Sequence, residues 1–129
     1  MANPETTYTN RIRTKITKMY PDVRVYKHSD RFNGGISDLH MIKSHNDVAW
    51  VEVKFLKACA RYRKAGVTEL QDEFLKEHWE RGVPSFVLVG IGKLSVLYRY
   101  DRFDGRAYRN DAVTDEEAIT QLMVEMEMS

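Results

Sequence analysis

The run Ala49-Trp50-Val51-Glu52-Val53-Lys54-Phe55 sets an acid and a base inside an otherwise apolar stretch. Its valines and aromatics predict a strand that wants burial. Residues two apart on a strand share a face, so Glu52 and Lys54 project together. An unpaired charge buried there would be costly. The chain must therefore bring this strand to the middle of a sheet while giving the pair a partner or a cleft. Upstream, Gly34-Gly35 leads into Ser37-Asp38-Leu39-His40-Met41-Ile42, a second short strand with an acid at its start. Beside Glu52, Asp38 would complete a pair of carboxylates, and such a pair holds a divalent cation through oxygen ligands. A cation there polarises a phosphoryl oxygen and acidifies water, while the Lys54 ammonium faces a phosphate. The same residues also describe a cross-strand ion pair on a solvated sheet face, with Asp38 as a turn residue after the glycines.

The arrangement resembles the PD-(D/E)XK nuclease signature, with Ser37 in place of the usual proline before Asp38 and with Glu52-Val53-Lys54 as the second half. Three further pieces resemble the virus-type replication-repair nuclease (VRR-NUC) branch of that superfamily. They are Gly35 upstream, Glu69-Leu70-Gln71-Asp72-Glu73-Phe74-Leu75, and Gly82-Val83-Pro84 running into Ser85-Phe86-Val87-Leu88-Val89-Gly90. The resemblance spans roughly residues 1–100.

The length of 129 residues suits one domain, here a core to about residue 100 followed by a hairpin and helix over about 101–129. A chain of this size buries roughly two-thirds of its extended surface and needs no staples. The lone cysteine, Cys59, excludes an internal disulfide framework and suits a reducing compartment. No apolar run reaches the length of a membrane span, and Met1-Ala2-Asn3-Pro4-Glu5 lacks the basic and apolar regions of a signal peptide. A cytoplasmic location is expected, without membrane contact. The net charge of +1 is unevenly spread. Residues 111–129 hold Asp111, Asp115, Glu116, Glu117, Glu125 and Glu127 with no Lys or Arg, which leaves the rest of the chain basic.

Taken in order, Asn3-Pro4-Glu5 predicts a helix start, and Tyr8, Ile12, Ile16 and Met19 form its apolar stripe. Glu5 precedes Tyr8 by three residues and shares that face, where it either serves a site or answers the helix dipole. Arg11, Arg13, Lys15 and Lys18 dress the other sides. Val23–Lys27 predicts a strand, residues 28–35 a loop, and Val48–Phe55 the strand already described. His40 falls on the face of Asp38 by period two. Between Lys54 and Thr68 come Lys57, Arg61, Arg63 and Lys64 with no acid, a segment suited to phosphate contact. Thr68 caps a helix with Leu70, Phe74, Leu75, His78 and Trp79 on its apolar side, closed by Arg81-Gly82. Pro84–Ile91 predicts a strand buried on both faces, and Leu94–Tyr98 its return. Asp104-Gly105 predicts a hairpin-like turn among arginines and aromatics. Thr114-Asp115-Glu116-Glu117 opens a last helix whose apolar side is Ala118, Ile119, Leu122, Met123 and Met126.

The order of elements fits an α/β fold with a central mixed sheet flanked by helices, as in the restriction-endonuclease-like PD-(D/E)XK core. The resemblance implies that Asp38, Glu52, the backbone carbonyl of Val53 and Glu5 ligate Mg²⁺ or Mn²⁺. It implies that Lys54 positions or activates water and that Gln71 assists beside the site. It further implies a metal-dependent endonuclease acting on DNA. Stand-alone VRR-NUC proteins are typical of phages, resemble Holliday junction resolvases and act as homodimers. A C2 dimer supplies the two symmetric cuts that such an enzyme makes. A flap, nicking or general DNA nuclease, and a silent nucleic-acid-binding protein of the same fold, stand as alternatives.

Overall fold

Pro4 and Glu5 open α1 (Pro4–Met19), with proline where its missing N–H costs nothing and the acid at the positive end of the helix. The expected stripe is the buried one: Tyr8, Ile12 and Ile16 are inaccessible, together with Thr9. The computed structural model describes residues 4–28, 38–44, 47–56, 66–104 and 111–128. The basic segment with Lys57, Arg61, Arg63 and Lys64 lies outside the described residues, as do Asn3, Gly34-Gly35, Ser37, Cys59 and the turn at Gly105.

Among the described residues six strands form one sheet in chain order: β1 (Arg24–Lys27), β2 (Leu39–Ser44), β3 (Asp47–Leu56), β4 (Ser85–Ile91), β5 (Leu94–Arg99) and β6 (Val113–Thr114). Neighbours are antiparallel except β3 and β4, which run parallel because α2 (Glu69–Glu80) carries the chain back between them. The sheet is therefore mixed, as expected. β4 is buried at every position, which is why it reads as an unbroken apolar run. A single 3-10 turn (Tyr100–Arg102) follows β5. The two-residue β6 was not foreseen. It pairs with the start of β5, Leu94 opposite Thr114, and delivers the chain into α3 (Asp115–Met128).

The sheet has two unlike faces. Odd-numbered residues of β2 and β3, such as Leu39, Met41, Val51 and Val53, pack with α1 and α3 into one core that also holds Phe86, Leu88, Ile119, Leu122 and Met126. On the other face a smaller core joins Val87, Val89 and Val96 to Leu75 of α2, with Trp50 and Leu56 at its margin. Leu70, expected on the packed side of α2, is instead 57% exposed. Five residues separate it from Leu75, which at 100° per residue turns it well away from the buried side. Thr68 caps α2 as expected. Among the described residues no helix is long and apolar enough to cross a membrane.

Gly90 is where the first core admits no side chain. A Cβ there would lie 2.7 Å from both Phe55 Cδ1 and Tyr8 Cε1. The Tyr8 ring cannot swing aside freely, because its hydroxyl is 2.6 Å from Ser95 Oγ. Gly90→Ala is expected to lower stability by about 1–3 kcal/mol through overpacking, read as a shift in the urea midpoint.

Candidate active site

The register of β2 on β3 builds the centre. Leu39 pairs with Val51, and one more step along that register sets Asp38 opposite Glu52. β2 stops there, while β3 runs on to Leu56. The N–H of Val53 lies beyond the last β2 pair and donates instead to Asp38 Oδ2 at 2.9 Å. The Asp38 carbonyl in turn accepts the N–H of His28 at 2.8 Å, which ties the acid to the end of β1. Asp38 is thus fixed by backbone at the point where the sheet opens.

Glu52 is completely buried, yet neither of its carboxylate oxygens accepts a hydrogen bond. Lys54 Nζ stands 3.5 Å from Glu52 Oε1, a charge contact too long for a good hydrogen bond. Burial first, then the nearby charge of Asp38, pushes the Glu52 carboxyl up to about 9, and the Lys54 charge only partly offsets this. A buried carboxyl without donors is the arrangement to expect of a ligand whose cation is supplied from outside the chain. The donor set, two facing carboxylates beside peptide carbonyls, suits a hard divalent ion.

Glu5 projects from the first turn of α1 and is partly buried. Burial raises its pKa, the Lys54 charge lowers it and the Asp38 charge raises it, so the charges of both groups are felt at the helix start. Among the described residues no three His, Cys, Asp or Glu side chains form a ready-made cation cage. Gln71 sits in the first turn of α2, where its Oε1 accepts the Thr68 N–H at 2.9 Å while its own N–H reaches Thr68 Oγ1 at 3.2 Å. Its side-chain carbonyl is therefore engaged in a capping box. His40 does share the face of Asp38, but its ring stacks on Trp50 with centroids 4.3 Å apart and planes 8° apart. A cavity of about 380 Å³ beneath the end of α2, lined by Trp79, Pro84, Arg99 and Glu125, contains none of these groups.

A mixed six-stranded sheet flanked by helices is the α/β architecture expected of the PD-(D/E)XK core, here with an acid at the end of β2 and Glu-x-Lys on β3. The chain is similar in structure to Hjc, a Holliday junction resolvase from the archaeal hyperthermophile Archaeoglobus fulgidus. The TM-score is 0.53 with 13% identity, over 86% of this chain and 98% of that one. No family model matches the sequence, and no curated protein matches it.

Proposed function

We propose that the protein is a divalent-metal-dependent, structure-specific endodeoxyribonuclease that hydrolyses phosphodiesters in branched DNA in the manner of a Holliday junction resolvase. The observation that carries this is Glu52, a buried carboxylate with no donor, set opposite Asp38 and beside Lys54. Asp38, Glu52 and the Val53 carbonyl would hold Mg²⁺ or Mn²⁺, with Glu5 close by. The ion supplies Lewis acidity toward a phosphoryl oxygen and toward water. Lys54, only 12% exposed along its side chain, offsets the negative charge that grows on the phosphate as the bond breaks. Asp38 keeps one oxygen on Val53 N–H, so its other oxygen has a fixed direction. Lys57, Arg61, Arg63 and Lys64 follow β3 directly in sequence and would grip the DNA backbone next to the site. Gln71 would act from the start of α2.

The solved structure this chain resembles is that of a Holliday junction resolvase, which supports junction DNA as the substrate class. The quoted motifs support the VRR-NUC branch in its phage-type form, working as a homodimer in the cytoplasm of a bacterium or a phage-infected cell. The deciding experiment offers the purified protein a labelled four-way junction and a linear duplex of matched sequence, in Mg²⁺, Mn²⁺ or EDTA. The expected result is paired, symmetric, metal-dependent nicking of the junction, with the duplex left whole. Equal cutting of both would keep the nuclease and discard junction selectivity in favour of a general or nicking enzyme. Junction binding without cutting in either metal would favour a silent binding protein.

A further inference from the structure

On the face that carries Asp38, Glu52 and Lys54, the even-numbered residues of β1 to β3 present a row of rings. Tyr26 lies opposite His40, and His40 opposite Trp50. The Tyr26 and His40 centroids are 6.2 Å apart, and His40 is stacked on Trp50. His28 closes the row from the side, 5.3 Å from Trp50, and its Nε2 is shielded from solvent without a hydrogen-bond partner. Phe74 and His78 of α2 meet the far edge of Trp50. The core of α2 is Leu75 packed with Val87, Val89 and Val96, and Trp50 stands at the margin of that cluster. Tyr26 is left 49% exposed.

Cross-strand ring pairing accounts for the contact between His40 and Trp50. It does not account for an uncovered tyrosine beside it on the working face of the sheet. The row begins two residues from the acids along both β2 and β3, about 7 Å. Beyond Asp38 and Glu52, the charged side chains on this face of β1–β3 are the cations Arg24 and Lys54. Flat rings flanked by positive charge, one nucleotide's reach from a phosphate site, suit a base that has left its stack.

We propose that Tyr26 and His40, backed by Trp50, form a stacking platform for an unpaired nucleobase next to the phosphate that is cut. The proposal rests on the nuclease reading above and deepens it. A platform of this kind reads the disrupted stacking at a branch point, and an intact duplex has no free base to offer it.

The test measures binding of the full chain, in EDTA so that nothing is cut, to an oligo(dT) single strand, a four-way junction and a linear duplex. Tyr26→Ala and His40→Ala are expected to weaken single-strand and junction binding about 5- to 100-fold, and duplex binding less than about twofold. Tyr26→Phe, which keeps the ring, should bind like the wild type. Circular dichroism and urea midpoints close to wild type would show that the variants are folded, since Tyr26 lies on an exposed edge strand. Equal losses on all three DNAs, or no loss on any, would overturn the platform, while wild-type cutting of the junction in a parallel assay with Mg²⁺ or Mn²⁺ keeps the nuclease. A wild type that binds none of them in EDTA and cuts none of them in either metal would overturn both.

Discussion

Replacing Glu52 with Gln is expected to abolish cutting while leaving the metal-free protein at least as stable as wild type at pH 8. Cleavage should fall on the order of 10³-fold or more, because the amide cannot neutralise a divalent ion. The stability result follows from the raised Glu52 carboxyl. Between its ordinary value of 4.5 and about 9, the folded protein binds a proton there that the unfolded chain does not. The Glu52 contribution to stability is therefore complete below about pH 4.5 and is lost as the pH rises through the window, by no more than about 1.4 kcal/mol per unit. Gln has the shape of the protonated acid and does not titrate. Urea melts of both proteins in EDTA at pH 5.5 and 8.5 check this: the wild type should weaken on going alkaline, and the variant should lose less. A divalent ion must displace the same proton, so its apparent affinity should climb up to tenfold per pH unit below about 9. Alkaline loss of equal size in both proteins would disprove the assignment.

The second large effect belongs to Asp115, which is 2% exposed at the start of α3. Its carboxylate accepts from Arg11 Nε at 2.9 Å, Lys15 Nζ at 2.9 Å and Ser95 Oγ at 2.6 Å. Ser95 Oγ also meets Tyr8 OH, so one acid joins α1, α3 and β5. Burial alone would raise its pKa, but the bonds from Ser95, Lys15 and Arg11 outweigh this and hold it below the usual carboxylate value. Asp115→Ala strands two cations that are each about a third exposed, which moderates the penalty to about 2–4 kcal/mol. A double-mutant cycle with Arg11→Ala should return a clear coupling energy. Acid should erase the difference between wild type and variant, since this stabilisation is present above about pH 3.8 and fades as the pH falls below it. Because the network seats α1, the variant should also blunt whatever Glu5 contributes one turn before Tyr8.

The contrast between these two acids explains what the sequence could reveal. Asp38, Glu52 and Lys54 were legible because their relation is local: period two places Glu52 and Lys54, and a short hairpin register brings Asp38 across. The stripes of α1 and α3 follow from helical period in the same way. Asp115 had no such signal. It sits where a helix start welcomes an acid anyway, and its partners Arg11 and Lys15 are about a hundred residues away, on a helix where charges ordinarily just meet water. Gln71 shows a pattern with two meanings, since Thr68-x-x-Gln71 is also the signature of the capping box that its side chain completes. β6 is two exposed residues held by pairing alone, too short for any periodicity. His40 was placed on the correct face, but stacking against Trp50 depends on ring orientation, which spacing does not encode.

The hydrogen bond from Val53 N–H to Asp38 separates the fates of the two acids under mutation. Glu52 anchors no backbone group and meets only the Lys54 charge, so a lineage that did not need the proposed cutting could discard it and gain robustness. Asp38 closes the end of a strand and would be kept by a chain that had lost all activity. A descendant turned into a passive scaffold should thus bear Asp at the first position and a neutral residue at the second. The same asymmetry makes Glu52→Gln the better inactive trap for capturing substrate, because Asp38→Ala would disturb the scaffold along with the chemistry.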